Sequence, residues 1–448
     1  MIHKYSMQGT NILLDVYSGA IHIVDDLAYK LLDYMPKTDK QTLINNLQGQ
    51  YTAEEVSTAY DELIQLRDGG LLFTEDEYED IPNIFQKSSV IKAMCLHVSH
   101  DCNLRCKYCF AGTGDFGGAR KIMSTETGCK AINFLVEHSG NRKNIEVDFF
   151  GGEPLMNMQT VKDIVKYIKD NEGEWGKIFH LTITTNGVQL NDDNMEFINK
   201  YMDNVVLSID GRKETNDRMR VKIDGSGSYD VILPKLKKMA DLRNQDRYYV
   251  RGTYTRNNLD FYEDVKHLAE QGFKQISVEP VVAPDGCGYE LKQENLPQLF
   301  SQYEKLVQYY VEKWNTDEWF NFFHFMIDLE QGPCVAKRIR GCGAGHEYVA
   351  VTPEGDIFPC HQFVGMDDFK LGNVYVGDLN KELVDKFMGT NVYTKPECKK
   401  CWAKYYCSGG CHANAWNSTG SLEKPYLIGC ELQKKRIECA IWAKSQGV

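Results

Sequence analysis

At 448 residues, with 42% hydrophobic and 25% charged residues, the chain has length for two or three domains with cores of ordinary size. A formal net charge of −12 argues against the basic patches that non-specific nucleic-acid or anionic-membrane binding requires. No apolar run reaches about 18 residues, the length of a membrane span, and the opening "MIHKYSMQGTNILLDVYSG" lacks a signal-peptide pattern. The expected compartment is therefore a reducing cytoplasm, where clustered thiols serve as metal ligands or catalysts rather than disulfides. The odd count of 15 cysteines also excludes a fully paired disulfide framework.

Residues 1–82 read as a small unit. "NILLDVYSGAIHIVDD" alternates Ile12, Leu14 and Val16, then Ile21 and Ile23, around "YSGA", which predicts a hairpin. Helices are expected over 25–35, 39–48 and 52–67, the last with Val56, Tyr60, Leu63 and Leu66 near helical spacing. The acidic, Pro-containing "LLFTEDEYEDIPN" reads as a linker. A second unit, 90–310, alternates β-rich runs at 93–99, 145–152, 180–187, 204–211, 249–255 and 275–282 with amphipathic stretches such as 160–170 and 261–273. Repeated βα units predict an α/β fold with a parallel sheet, open or closed into a barrel, and a site at the carboxyl ends of its strands. From 330 to 440 Cys and Gly are dense, as in a loop-rich region stapled by metal.

"HDCNLRCKYCF" places Cys102, Cys106 and Cys109 at C-x3-C-x2-C directly after the first of these runs. Three close thiolates suit a four-iron cluster with one iron left open, whereas a structural zinc wants four ligands and no fourth cysteine is near. The motif resembles the signature of radical S-adenosylmethionine (SAM) enzymes. The resemblance implies a partial (β/α)6 barrel and a [4Fe-4S] cluster on these cysteines. SAM chelates the open iron, and its reductive cleavage gives a 5′-deoxyadenosyl radical that abstracts a substrate hydrogen. It also implies a SAM site. "GGEP" (Gly151, Gly152, Glu153) would receive the methionyl amine, Ser208 in "SIDG" the ribose, with Asp210 a weaker candidate, and Arg220 the methionyl carboxylate. Tyr108 would lie near the adenine, and "TTNG" (184–187) would line the site. Arg218 competes with Arg220 for its role.

Further on, Cys342, Gly355 and Cys360 precede "CKKCWAKYYCSGGCH", which carries Cys398, Cys401, Cys407 and Cys411, and Cys430 follows. Alone, the four cysteines of that stretch also fit a zinc site. In this order the seven resemble a SPASM domain, which implies two auxiliary [4Fe-4S] clusters: Cys398, Cys401, Cys407 and Cys430 on the outer, and Cys342, Cys360 and Cys411 on the inner. The inner cluster's fourth ligand is either Cys334 or a substrate thiolate. Where anaerobic sulfatase-maturing enzymes carry an Asp base after the second of these cysteines, this chain has His361, which argues against formylglycine formation. No catalytic side chain is assigned beyond the clusters and SAM.

Residues 1–82 resemble the winged-helix-like peptide-recognition element of peptide maturases, which binds a leader as an added strand. The whole arrangement is similar to maturases of six-cysteines-in-forty-five (SCIFF) peptides. This implies three [4Fe-4S] clusters, SAM, a reducing electron donor, a Cys-rich precursor peptide as partner, and Cys-sulfur-to-carbon thioether formation. Neither nucleic acid nor a membrane is an expected partner. Other radical chemistry on a peptide, namely C–C crosslinking or side-chain oxidation, and a non-catalytic leader-binding role are the alternatives.

Overall fold

Residues 1–79, 90–329 and 335–448 are described by the computed structural model, the side chains of 335–337 excepted. The N-terminal unit is an antiparallel sheet of β1 (Ile2–Met7), β2 (Thr10–Asp15) and β3 (Ile21–Val24), in that order, with helices Asp26–Leu31, Lys40–Leu47 and Ala53–Asp68. Local chemistry sets the helix starts. Asp25 and Asp39 accept from backbone N–H groups three residues on, and Thr52 with Glu55 forms a reciprocal capping box. The first helix stops at Leu31, short of the expected residue 35. Strand alternation then does something the hairpin pattern did not suggest. Leu13 faces a core made with the unit's own helices, while Ile12, Leu14, Tyr5 and Met7 join the main core of the molecule. The central strand β2 is thus buried on both faces.

The main sheet has ten strands. The six expected runs form β4 (Ala93–Ser99), β6 (Asn144–Gly151), β7 (Ile178–Thr185), β8 (Asn204–Ser208), β10 (Tyr248–Tyr254) and β11 (Gln275–Pro280), each parallel to its neighbour. Two additions were not foreseen. The two-residue β12 (Asn321–Phe322) extends the β11 edge. Beyond β4, β13 (Tyr348–Val351) pairs parallel, followed by antiparallel β14 (Asp356–Phe358) and β15 (Gly372–Asn373). The Cys-rich region therefore continues the sheet. Apart from it, β5 (Leu104–Cys106) and β9 (Arg220–Lys222) form a two-stranded ribbon.

The sheet's two faces differ in chemistry because side chains alternate with period two. On one face Ile145, Val147, Phe149, Leu181, Ile183, Tyr248 and Val250 are buried in the main core. The other face carries Asp148, Thr182, Thr184, Ser208, Tyr249, Arg251, Thr253 and Glu279, none of them fully buried. Register places Asp148 beside Cys95 and Thr182, and Arg251 between Ser208 and Ser277. This polar, partly open face, the polar groove of the sheet, is suited to binding rather than to core packing. Among the described residues no helix is long and apolar enough to cross a membrane.

Candidate cofactor and cluster sites

The first cysteine loop leaves the carboxyl end of β4. Asp101 Oδ1 accepts from Cys102 N at 2.8 Å, and Arg105 reaches back to the Cys102 carbonyl at 2.6 Å. The β5–β9 ribbon then sets Cys106 opposite Arg220, so the loop and the arginine share one local scaffold. The three thiols lie within each other's electrostatic reach. Burial, with Glu153 and the other two thiols, pushes Cys102 up to about 12, and burial pushes Cys106 up to about 11. Bare, such thiols stay protonated; a bound metal reverses this, because a coordinated thiol is deprotonated.

Beside the loop, Gly151 and Gly152 let the end of β6 touch it. A Cβ on Gly151, at φ +126°, would stand 2.2 Å from the Ser99 carbonyl oxygen, and one on Gly152 would stand 2.3 Å from that of Asp101. These glycines thus serve the approach of two protein segments, sealed by Gly152 N to Ser99 O at 2.7 Å and Glu153 N to Asp101 O at 2.9 Å. Glu153 is 1% exposed, and its oxygens already accept from Leu155 N (3.0 Å), Thr185 Oγ1 (2.7 Å) and Asn186 N (2.8 Å). It ties the end of β6 to the end of β7, leaving little acceptor capacity for the expected ammonium. Burial lifts its carboxyl to about 6 against those hydrogen bonds.

Arg220 and Arg218 part company here. Arg218 is exposed and donates to the Asn257 carbonyl, while Arg220 is buried, donates to Tyr108 Oη at 2.9 Å, and lies 3.9 Å from Asp210. Tyr108 in turn donates to Asp210, 2.7 Å from each oxygen. Tyr108 therefore belongs to a Tyr–Asp–Arg triad whose Asp210 and Arg220 are buried and whose tyrosine is half-buried. Arg220 Nε has no partner among the described residues, an unmet charged donor of the kind a carboxylate ligand fills. Ser208 ends β8 on the polar face. Two roles go beyond the sequence pattern: Asp210 as the acceptor that holds the triad, and Asn186, whose amide reaches Cys102 Sγ at 3.5 Å and Asn103 at 2.7 Å. Their signal was position, at the ends of "SIDG" and "TTNG".

The C-terminal thiols gather in two groups. Cys360 interacts with Cys411 and Cys342, and burial, with these two, pushes it up to about 12. Cys398, Cys401, Cys407 and Cys430 interact among themselves, with Cys430 likewise pushed up by burial to about 12. Cys334 lies outside the described residues. No three His, Cys, Asp or Glu side chains among the described residues close on a single ion, whereas an iron–sulfur cluster spreads its ligands over several irons. The donor sets fit such clusters. His361, next to Cys360, borders the polar groove between Phe110 and Phe150, with Nδ1 3.3 Å from Tyr348 Oη. Burial brings its pKa down to about 4, so it is neutral near pH 7. Lys395, which the sequence did not single out, is 1% exposed between the two groups.

Comparisons with known proteins agree with this layout. Residues 92–232 match a family model described as a 4Fe-4S single cluster domain, and 342–402 match an iron-sulfur cluster-binding domain, SPASM. The chain thus carries a 4Fe-4S domain and a SPASM domain in the order found in the radical SAM proteins it is similar to. It is similar to the radical SAM cyclopropyl synthase TigE of Paramaledivibacter caminithermalis, at 25% identity over 91% of this chain and 86% of that protein. It is also similar to the antilisterial bacteriocin subtilosin biosynthesis protein AlbA of Bacillus subtilis, at 24% identity over 84% of each. In fold it resembles anSMEcpe with bound AdoMet (TM-score 0.64, 20% identity, 78% of this chain and 93% of that one). Streptococcus suis SuiB bound to S-adenosylmethionine matches at a TM-score of 0.51 and 19% identity over 94% and 97% of the two chains.

Proposed function

We propose that this chain is a peptide maturase that installs Cys-sulfur-to-carbon thioether bonds in a Cys-rich precursor peptide of the SCIFF kind. The observation that carries the reading is the split of the C-terminal thiols. Among the described residues one group has four, and the other has three (Cys342, Cys360, Cys411) and adjoins the polar groove through His361. Three ligands leave room for a substrate thiolate on the inner group. In the first loop, Cys102, Cys106 and Cys109 would hold the cluster that, with SAM bound, supplies the 5′-deoxyadenosyl radical. Arg220, held by Tyr108 and Asp210, would fix the methionyl carboxylate by a charge-assisted fork. Asp148, Arg251 and Glu279 would orient the reacting segment along the groove. The leader would add to β3, whose outer edge has no strand partner among the described residues and whose Ile23 is 61% exposed. AlbA, named for subtilosin biosynthesis, and SuiB, crystallised with precursor peptide SuiA, support a peptide substrate.

A second reading, C–C bond formation, is favoured by the 91% of this chain that aligns with a cyclopropyl synthase. The test is anaerobic incubation of the reconstituted protein with SAM, dithionite and a Cys-rich peptide encoded beside its gene. The thioether reading expects 5′-deoxyadenosine, a peptide lighter by a pair of hydrogens per bond, and the loss of one alkylatable thiol per bond. A lighter peptide with every thiol intact establishes the C–C reading instead, and absence of 5′-deoxyadenosine ends both. Cys334→Ala is expected to keep full iron and turnover, since a substrate thiolate rather than Cys334 completes the inner site.

A further inference from the structure

Lys395 presents a problem that the sites above leave unsolved. Its side chain is 1% exposed, and among the described residues its ammonium donates to a single acceptor, the Gly409 carbonyl at 2.9 Å. Neighbouring lysines are conventionally paired, Lys399 with Glu79 and Lys404 with Asp76. Among the described residues no carboxylate pairs with Lys395. An ammonium has three protons to place, and burying it without an anion is among the costliest arrangements in a protein. The charged or titratable groups around it are Cys398, Cys407 and Cys430 of the four-thiol group, Cys411 of the three-thiol group, and the imidazole of His412. The turn "CSGGC" brings this about. Gly409 and Gly410, at φ +83° and +73°, fold the backbone between Cys407 and Cys411 so that the Gly409 carbonyl points at the amine.

We propose that Lys395 is the shared counter-cation of the two C-terminal clusters, placing its two remaining protons toward their sulfurs and raising both reduction potentials together. The proposal rests on reading the two thiol groups as cluster sites. Cluster potentials follow net charge, hydrogen bonds to sulfur and solvent exposure. One buried positive charge between two anionic centres acts on the first two for both at once. The process it tunes is one-electron reduction, in which no bond forms or breaks and Lys395 keeps its proton. Lys395 is a tuning residue: it holds no iron and touches no substrate.

The experiment is an anaerobic dithionite titration of the reconstituted protein, followed by electron paramagnetic resonance, for wild type, Lys395→Gln and Lys395→Arg. Glutamine keeps a donor for the Gly409 carbonyl and removes the charge; arginine keeps the charge. Lys395→Gln is expected to disfavour reduction of both C-terminal clusters by about tenfold or more, a shift of ~59 mV each for one electron, while the cluster on Cys102, Cys106 and Cys109 holds its potential. Lys395→Arg is expected to stay near wild type. Loss of C-terminal iron in Lys395→Gln alone supports the same conclusion, since the charge is what the two variants do not share. Unchanged potentials in Lys395→Gln with full iron, or equal iron loss in both variants, overturn the role of the charge. A wild type that takes up only about four irons, one cluster's worth, overturns the cluster reading itself.

Discussion

Arg220 shows how one side chain is made specific by its neighbours. Its guanidinium is buried, and the Tyr108–Asp210 pair fixes its plane while Nε stays unmet. Arg220→Met is expected to weaken SAM binding about 10- to 100-fold, the value of one or two charge-assisted hydrogen bonds, as read by equilibrium dialysis on the reconstituted protein. Arg220→Lys should recover little, because a point charge cannot reproduce the fork. Gly151 is constrained differently. Gly151→Ala forces a Cβ to 2.2 Å from a backbone oxygen at a φ that L-residues avoid. It is expected to lower stability by about 1–3 kcal/mol or more, visible as a lower Tm of the metal-free protein.

At the scale of elements, the N-terminal sheet is bolted to the Cys-rich region. Lys404 and Asp76 pair at 2.6 Å with side chains 1% and 6% exposed, and the amine lies within 4.8–5.2 Å of the rings of Tyr17, Tyr393 and Tyr405. Tyr393 and Tyr405 both donate to Asp76, and His3 of β1 stacks on Trp402 at 3.7 Å. Asp76→Ala strands a buried ammonium and is expected to cost about 3–5 kcal/mol, measured by denaturant unfolding of the metal-free protein. Burial alone would raise the Asp76 carboxyl, but the hydrogen bonds from Lys404, Tyr405 and Tyr393 outweigh it, and the pKa is lowered. A depressed carboxylate contributes its stability above its unfolded pKa, near 4, and loses it as pH falls through the lower folded value. The wild type's advantage over Asp76→Ala should therefore shrink only below about pH 4.

This bolt marks where sequence reading ran out. The strands of the parallel sheet were legible because each is five or more residues of β-rich sequence followed by a helical pattern. The strands β12 to β15, of two to four residues, carry too short a period to register. Leu13 was passed over because an alternating pattern assigns one buried face, and β2 has two. In the site, cysteine spacing was legible because ligands come in fixed motifs. Glu153 as a brace, Asp210 as an acceptor and Lys395 between thiols depend on contacts between distant segments, which no local spacing encodes.

At the scale of the whole molecule, reading the thiol groups as separate cluster sites predicts that each can be lost without the first loop's. Cys398→Ala should remove about four irons per chain, one cluster's worth, and leave the first loop's iron in place; Cys106→Ala should do the converse. Iron assay with Mössbauer spectroscopy reads both.

The pairing of β13 with β4 sets Tyr348 against Ala93, so one edge of β4 waits for a strand made some 255 residues later. On the ribosome the parallel sheet can grow in the other direction, through β6 and β7, as each βα unit emerges. The β4 edge meanwhile stays open, a ready template for pairing with another nascent chain. Synthesis of this protein therefore has a vulnerable interval that closes only when the SPASM strand arrives. A chain stopped at residue 329 should aggregate through that edge, while one that continues past Asn373, with β13, β14 and β15 in place, should not.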